Sequence, residues 1–332
     1  MLTVILGLGS ALGYVLHDYL MVKVVRAVAV WTAMCWSMGV GMLILVPLAL
    51  VLHGLPSGTA QWHAVAWAMA GGLCEAAALA CLLRGLVTGN LSVVTPLASL
   101  AGGVVALIAV AGGESLSMPA MIGLPLAVAG GLLASIERAP AKEAFALDGD
   151  AAEGAAEGEA AEGAATERAA EGAAVGAATQ GEAAAVIAPA AKTGRRRGTA
   201  GAGWALLSSG LFAVVILLLD QATALPPVTI AATGRVGTMI VLVPVALMLA
   251  GLRLPRDYVR RCALAGAADA AGFMLFTAAI VIGPLAVASV VISQGGTMAV
   301  ILGYLALRER LSKVQYVGVA CTLVACTLFA VS

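Results

Sequence analysis

Long apolar runs, almost free of charge, restrict this fold more than any other feature of the chain. Residues 28–52 and 203–219 contain no Asp, Glu, Lys or Arg, and residues 262–305 contain one acid, Asp269. A segment crossing the hydrocarbon core of a bilayer needs about 20 apolar residues. Inside that core every backbone N–H and C=O must be bonded within the protein, so an open sheet cannot span it. A transmembrane barrel would need alternating polarity along each strand, and these runs do not alternate. Charged residues make up 11 % of the chain, against about 25 % in an ordinary soluble domain. The expected fold class is an all-α polytopic membrane protein.

Ten spans can be drawn, at 2–19, 28–52, 64–86, 91–111, 119–137, 203–220, 228–250, 261–281, 285–305 and 314–331. Between the fifth and sixth lies different material. Residues 139–200 run through AAEGAAEGEAAEGAATERAAEGAAVG and end in KTGRRRG, and they hold ten of the eighteen acids. With so few large apolar side chains this segment cannot bury a core, so a disordered linker is expected. The chain then divides into 1–138, 139–200 and 201–332. A formal net charge of zero gives no reason to expect a nucleic-acid partner. The six cysteines all fall in apolar runs, at no metal-ligand spacing and in no disulfide framework, so neither metal nor other cofactor is expected. The first run has no basic region before it and no cleavage site, and is read as a retained helix.

The two outer segments repeat each other. GESLS at 113–117 is echoed by RERLS at 308–312, each with a Gly nine residues after its Glu, at Gly123 and Gly318. VPLALVLHG at 46–54 meets VPVALMLAG at 243–251. Glu75 precedes Gly89 by the same interval that separates Asp269 from Gly283, and Gly72 and Gly266 match in this register. Five spans per half is an odd number, so the second half enters the membrane with opposite orientation. The expectation is two inverted five-helix repeats, with a substrate site between them.

The paired ends, with the ten-span layout, resemble the EamA-type repeat of the drug/metabolite transporter superfamily. The resemblance covers both halves and omits the linker. It implies a secondary carrier, commonly an exporter of small metabolites, amino acids or drugs, and it does not select among them. The expected location is the bacterial plasma (inner) membrane, and the expected partners are the lipid bilayer, a small-molecule substrate and protons.

Loop charge gives an orientation. Lys23, Arg26, Arg84, Arg138 to Arg197, Arg253, Arg256, Arg260, Arg261, Arg308, Arg310 and Lys313 all follow odd-numbered spans. The positive-inside rule then makes the odd loops cytoplasmic and leaves both termini outside. The resemblance implies both termini inside.

Ionisable groups within spans are costly and mark candidate sites. Glu75, in MAGGLCEAAALACLL, and Asp269, in ALAGAADAAGFMLF, occupy matched positions among small residues. They are candidates for binding a proton or a cationic substrate, or for tying helices together. Arg235 lies about two turns into the seventh span. It can pair with Asp269, Glu75 or Asp220, bind an anionic substrate group, or snorkel to the interface. Gln294, beside Gly295 and Gly296, is a candidate lining group for a cavity, with Thr95 and Ser99 in a similar zone. Arg84 reads as a snorkelling residue, and His17, Asp18 and Asp220 as interface anchors. The five tryptophans suit an interfacial belt, and Pro47, Pro96, Pro125 and Pro244 are tolerated kinks or hinges.

The leading reading is a proton-coupled or facilitative carrier. Its rivals are an intramembrane enzyme using Glu75 and Asp269 as an acidic dyad, and a scaffold subunit without catalysis. An intramembrane aspartyl protease would use two aspartates, one within G-x-G-D, and neither condition is met. Composition separates the linker from the machinery: deletion of 145–190 should leave transport in proteoliposomes near the full-length rate. Complete loss of flux in a well-expressed deletion would contradict that reading.

Overall fold

The computed structural model describes residues 1–25, 27–88, 94, 97–135, 201–307 and 312–331. The linker, Thr95, Pro96 and the Arg308–Glu309–Arg310 knot lie outside the described residues. Eleven helices cover nearly all that is described: α1 (Leu2–Val25), α2 (Val30–His53), α3 (Thr59–Thr88), α4 (Ala101–Ala111), α5 (Met118–Ser135), α6 (Ala202–Asp220), α7 (Pro227–Leu249), α8 (Arg256–Ile282), α9 (Leu285–Ile292), α10 (Gly295–Leu307) and α11 (Lys313–Ala330). Eight stretches among them are long and apolar enough to cross a membrane, and Ala101–Ala111 and Met118–Ala134 are shorter apolar helices. The chain is an integral membrane protein of α-helices.

Local chemistry sets the helix ends. Pro226, Pro255 and Pro284 hold extended backbone ahead of α7, α8 and α9, where a fixed φ and a missing N–H cost nothing. Gly54 stops α2 with φ +67°, a conformation that favours glycine. Ser312 opens α11 with a capping box: its hydroxyl accepts from the Gln315 amide, and the Gln315 side chain accepts from the Ser312 amide.

Three differences from the drawn spans have physical causes. First, α1 continues to Val25, six residues past the expected end, because Tyr19 to Val25 carry only one charge. Second, α3 and α8 each begin five residues early, so His63 and Arg256, Arg260 and Arg261 lie on helices. Third, the ninth span is not continuous. It breaks at Ser293–Gln294, ahead of Gly295 and Gly296, two poor helix formers. Described backbone in the fourth span has a comparable turn at Ser99–Leu100 before α4. A break frees carbonyls that lipid cannot satisfy. Here Ser293 Oγ and Gln294 Nε2 both donate to the Val290 carbonyl, at 2.8 and 3.1 Å.

The packing interleaves the two sets of helices. α1 lies on α8, and α3 lies on α6. α3 also meets α7, while α8 meets α2. α2 packs on α7, α4 on α9, and α5 on α11. Apolar side chains fill the spaces between, such as Met34, Met38, Leu79 and Leu82 in one cluster and Leu219, Ile230 and Phe273 in another. Lipid gives helices no hydrophobic reason to associate, so close backbone approach through small residues has to supply the contact. Gly72 of α3 touches Gly234 of α7, Gly266 of α8 touches Ser37 of α2, and Gly130 of α5 touches Gly318 of α11.

These crossings predict a steep contrast between glycines. A Cβ at position 72 would run into the Gly234 carbonyl, whereas one at Gly203 meets nothing. Thermal unfolding in detergent should show Gly72→Ala losing about 1–3 kcal/mol, with Gly203→Ala within about 0.5 kcal/mol of the parent protein.

Candidate functional site

Arg235 is the largest side chain fully enclosed by the bundle. It projects from α7 between α3 and α8, at the level where Gly234 and Gly237 bring α7 against α3. Its Nη1 donates to both carboxylate oxygens of Glu75 at 3.1 Å. Its Nη2 donates to Asp269 Oδ1 at 2.8 Å. The guanidinium also lies over the Phe273 ring, 4.2 Å from its centroid, a favourable seat for a desolvated cation. Asp269 and Phe273 are four residues apart on α8, so one face of that helix supplies both. Sequence reading allowed Arg235 several fates, and the geometry gives it both matched acids and not Asp220.

The acids are not equivalent. Asp269 is fully buried, while Glu75 keeps 8 % of its surface. Glu75 forms part of the wall of a cavity of about 80 Å³ between α3, α6, α8 and the turns of the fourth and ninth spans. The remaining wall is aromatic (Tyr14, Phe212, Phe273, Phe276), aliphatic, and hydroxylic (Ser99, Ser289, Ser293). Glu75 is the one acid lining it, and neither Arg235 nor Asp269 does. Asp269 Oδ2 and Arg235 Nε have no hydrogen-bond partner among the described residues. Gly41 of α2 faces Asp269 Oδ2, where an added Cβ would stand 3.2 Å away.

Thr238 was missed in the sequence. Its hydroxyl lies 2.6 Å from Glu75 Oε2 and 3.1 Å from the Gly234 carbonyl, and it has one proton to give. The available signal was a hydroxyl one turn after an intramembrane arginine, in GRVGT. Tyr14 was missed as well, because nothing in α1 marks which face meets the cavity.

Other expectations need correcting. Gln294 does not line the cavity. Its amide donates to the Ala127 and Val290 carbonyls, and its carbonyl accepts from Thr297 and Thr322 at 3.2 and 3.1 Å. It ties the break between α9 and α10 to α5 and α11. His17 and Asp18 are not interface anchors, because both are buried inside the bundle. Arg84 lies over the Trp204 ring, 5.4 Å from its centroid, on the outer surface. The indole of Trp36 donates to the Leu252 carbonyl at 2.9 Å. No group of three or more His, Cys, Asp or Glu side chains among the described residues could hold a metal.

Removing one partner from a buried ion pair leaves an uncompensated charge, at about 3–5 kcal/mol. Arg235→Met should therefore lower thermal stability in detergent by that order. Combining it with Glu75→Gln and Asp269→Asn should restore most of the loss, because the stranded carboxylates are then gone.

The sequence model of the EamA-like transporter family matches residues 199–331. No curated protein matches the chain. A solved structure described only as the crystal structure of a protein is similar over 99 % of this chain and 96 % of its own, with a TM-score of 0.67 at 12 % identity. At that identity the likeness shows the fold alone. Residues 199–331, which hold Arg235 and Asp269, are thus similar to the EamA-like transporter family.

Proposed function

We propose that this protein is a secondary transporter that moves a small organic solute by alternating access of two inverted five-helix halves, with proton coupling at Glu75. The observation that carries this reading is the ion cluster joining the halves. Glu75 comes from the first set of helices, Arg235 and Asp269 from the second, and only Glu75 reaches the cavity between them. Two carboxylates on one guanidinium leave one negative charge when all are ionised. Inside a membrane bundle that charge is costly, so the site favours one proton or one cationic group at Glu75.

The packing supports the repeat. Exchanging α1 with α6, α2 with α7, α3 with α8, α4 with α9–α10 and α5 with α11 carries the main helix contacts onto one another. The α1–α8 contact becomes α6–α3, and α3–α7 becomes α8–α2. The pairs α2–α7, α4–α9 and α5–α11 lie on the exchange axis. A two-state carrier uses such a duplication to present one site to either side in turn. The turns at Ser99–Leu100 and Ser293–Gln294, beside the cavity, are where broken helices would hold a transported group.

The enzyme reading fits less well. General acid–base work by a dyad needs one carboxyl held protonated beside the other. Here Arg235 stands between the two, and only Glu75 lines the cavity, so a molecule held there would not meet both carboxyls.

A substrate screen in proteoliposomes, with and without a pH gradient, tests the proposal. For any solute found, Glu75→Gln should cut gradient-driven flux by about tenfold or more, the scale of one lost charge interaction of ~1.4 kcal/mol, while the protein remains folded. Asp269→Asn should also impair or uncouple transport. Parental, gradient-dependent flux in both variants would overturn the coupling role.

A further inference from the structure

The cavity between the halves has a charge sign, and one aromatic ring keeps it. Glu75 is the only charged side chain among the described residues that line the wall. Arg235 donates to Glu75 from Nη1 at 3.1 Å, yet it does not reach the cavity. Phe273 stands in the way. Its ring lines the cavity and also carries the Arg235 guanidinium, 4.2 Å from its centroid. A ring in contact with both screens one from the other. Gly234 leaves room for it, since an added Cβ there would stand 3.1 Å from Phe273 Cζ. Phe276 stacks on Phe273 with centroids 5.7 Å apart and backs it from the same helix.

The rest of the wall agrees in sign. Tyr14, Phe212 and Phe276 add aromatic surface, whose faces attract cations. Ser289 and Ser293 have backbone carbonyls to take their protons, at Gly102, Ala286 and Val290, which leaves their oxygens able to accept. The Tyr14 hydroxyl can donate or accept and favours neither sign. The breaks at Ser99–Leu100 and Ser293–Gln294 each set a helix C-terminus beside a helix N-terminus. Opposite dipole ends meet there, so the side chains decide.

We propose that the cavity selects a small organic cation, a short alkylammonium group with no acidic substituent, and that Phe273 fixes this choice by keeping Arg235 out of the cavity. This deepens the transport reading and rests on it for movement of the solute, though not for its binding. A cavity of about 80 Å³ is roughly half of the ~150 Å³ that admits benzene, so it takes an ammonium head and its first few carbons. The ammonium lies against Glu75 and neutralises the one charge that two carboxylates on one guanidinium leave over. The carbons lie against the rings. A carboxylate in the same place would face Glu75 at close range, with the guanidinium shut behind Phe273.

Ligands this small reach only about millimolar affinity, so ligand-observed NMR of the purified full chain in detergent is the assay. The probes are propylammonium, propan-1-ol and acetate, matched in size, near neutral pH. Propylammonium should bind at least about tenfold more tightly than acetate, the scale of one charge interaction, and Glu75→Gln should remove that preference. Phe273→Ala should expose the guanidinium, so that acetate gains about tenfold and propylammonium weakens. Phe273→Leu refills the wall and should keep acetate out. Should the alanine variant fail to fold, Phe273→Val opens the same wall by less. Propylammonium that does not bind, binds no better than acetate, or binds equally to Glu75→Gln overturns the substrate class. Acetate still excluded from both Phe273→Ala and Phe273→Val overturns the role of the ring. Glu75-dependent flux of an anionic solute in proteoliposomes would leave the transport reading standing and remove this one. Propylammonium held at Glu75 with no flux of any solute would do the reverse.

Discussion

The bundle is organised around one buried cation. Arg235 cannot lose its charge, and inside a bilayer it must be met by acceptors. Glu75 and Asp269 meet it from two helices of different halves. The guanidinium reaches both because the surrounding helices are close. Gly234 and Gly237 let α7 press against α3 at Gly72 and Met69, and Gly266 lets α8 press against α2. The glycines and the ion cluster thus depend on each other. Without small residues the three side chains would stand apart, and without the cluster the close approach would have only dispersion to hold it.

Two hydroxyls beside these charged groups each have a choice of partner. Thr238 has two acceptors and one proton, and Ser37 has an acceptor at Met34 and a ring nitrogen at His17. With Glu75 ionised, the Thr238 hydroxyl gives its proton to the carboxylate. With Glu75 protonated it can turn to the Gly234 carbonyl, at the glycine that sets the α3–α7 crossing. Under the proposed mechanism a protonation event therefore reaches a helix contact through a single hydroxyl rotation. Hydroxyl rotors of this kind cost little to turn, while the guanidinium bridge is costly to break.

Much of this was legible from the residues. The all-helical membrane class followed from the run lengths, and Glu75, Asp269 and Arg235 were singled out because each is a lone charge in an apolar run. Their mutual pairing was not legible, since Asp220 was an equal candidate until the helix faces were known. His17 and Asp18 were misread for a simple reason. Ending the first span at residue 19 placed them at a membrane edge, and a helix running to Val25 moves them two turns inward. Gln294 was misread because polarity beside glycines looks the same whether it lines a cavity or repairs a broken helix. The orphan carbonyl of Val290, which decides the matter, exists only once the helix is broken.

The repeated E-x-L-S ends gain a physical role in the first half. Glu114 Oε2 accepts the backbone amide of Ala286 at 3.0 Å, at the first turn of α9 in the other half. A carboxylate there satisfies a free N–H and meets the positive end of the helix dipole. Its counterpart Glu309 lies outside the described residues. The Glu114 contact joins the halves away from the ion cluster, and its glutamate is only half-buried. If the halves rock as proposed, water can replace the carboxylate on that amide at a net cost of about 1 kcal/mol. Arg235 itself is fully enclosed, so parting it from its acids would strand a buried charge at about 3–5 kcal/mol. Under the proposed rocking, the Glu114 contact would therefore yield before the Arg235 cluster does.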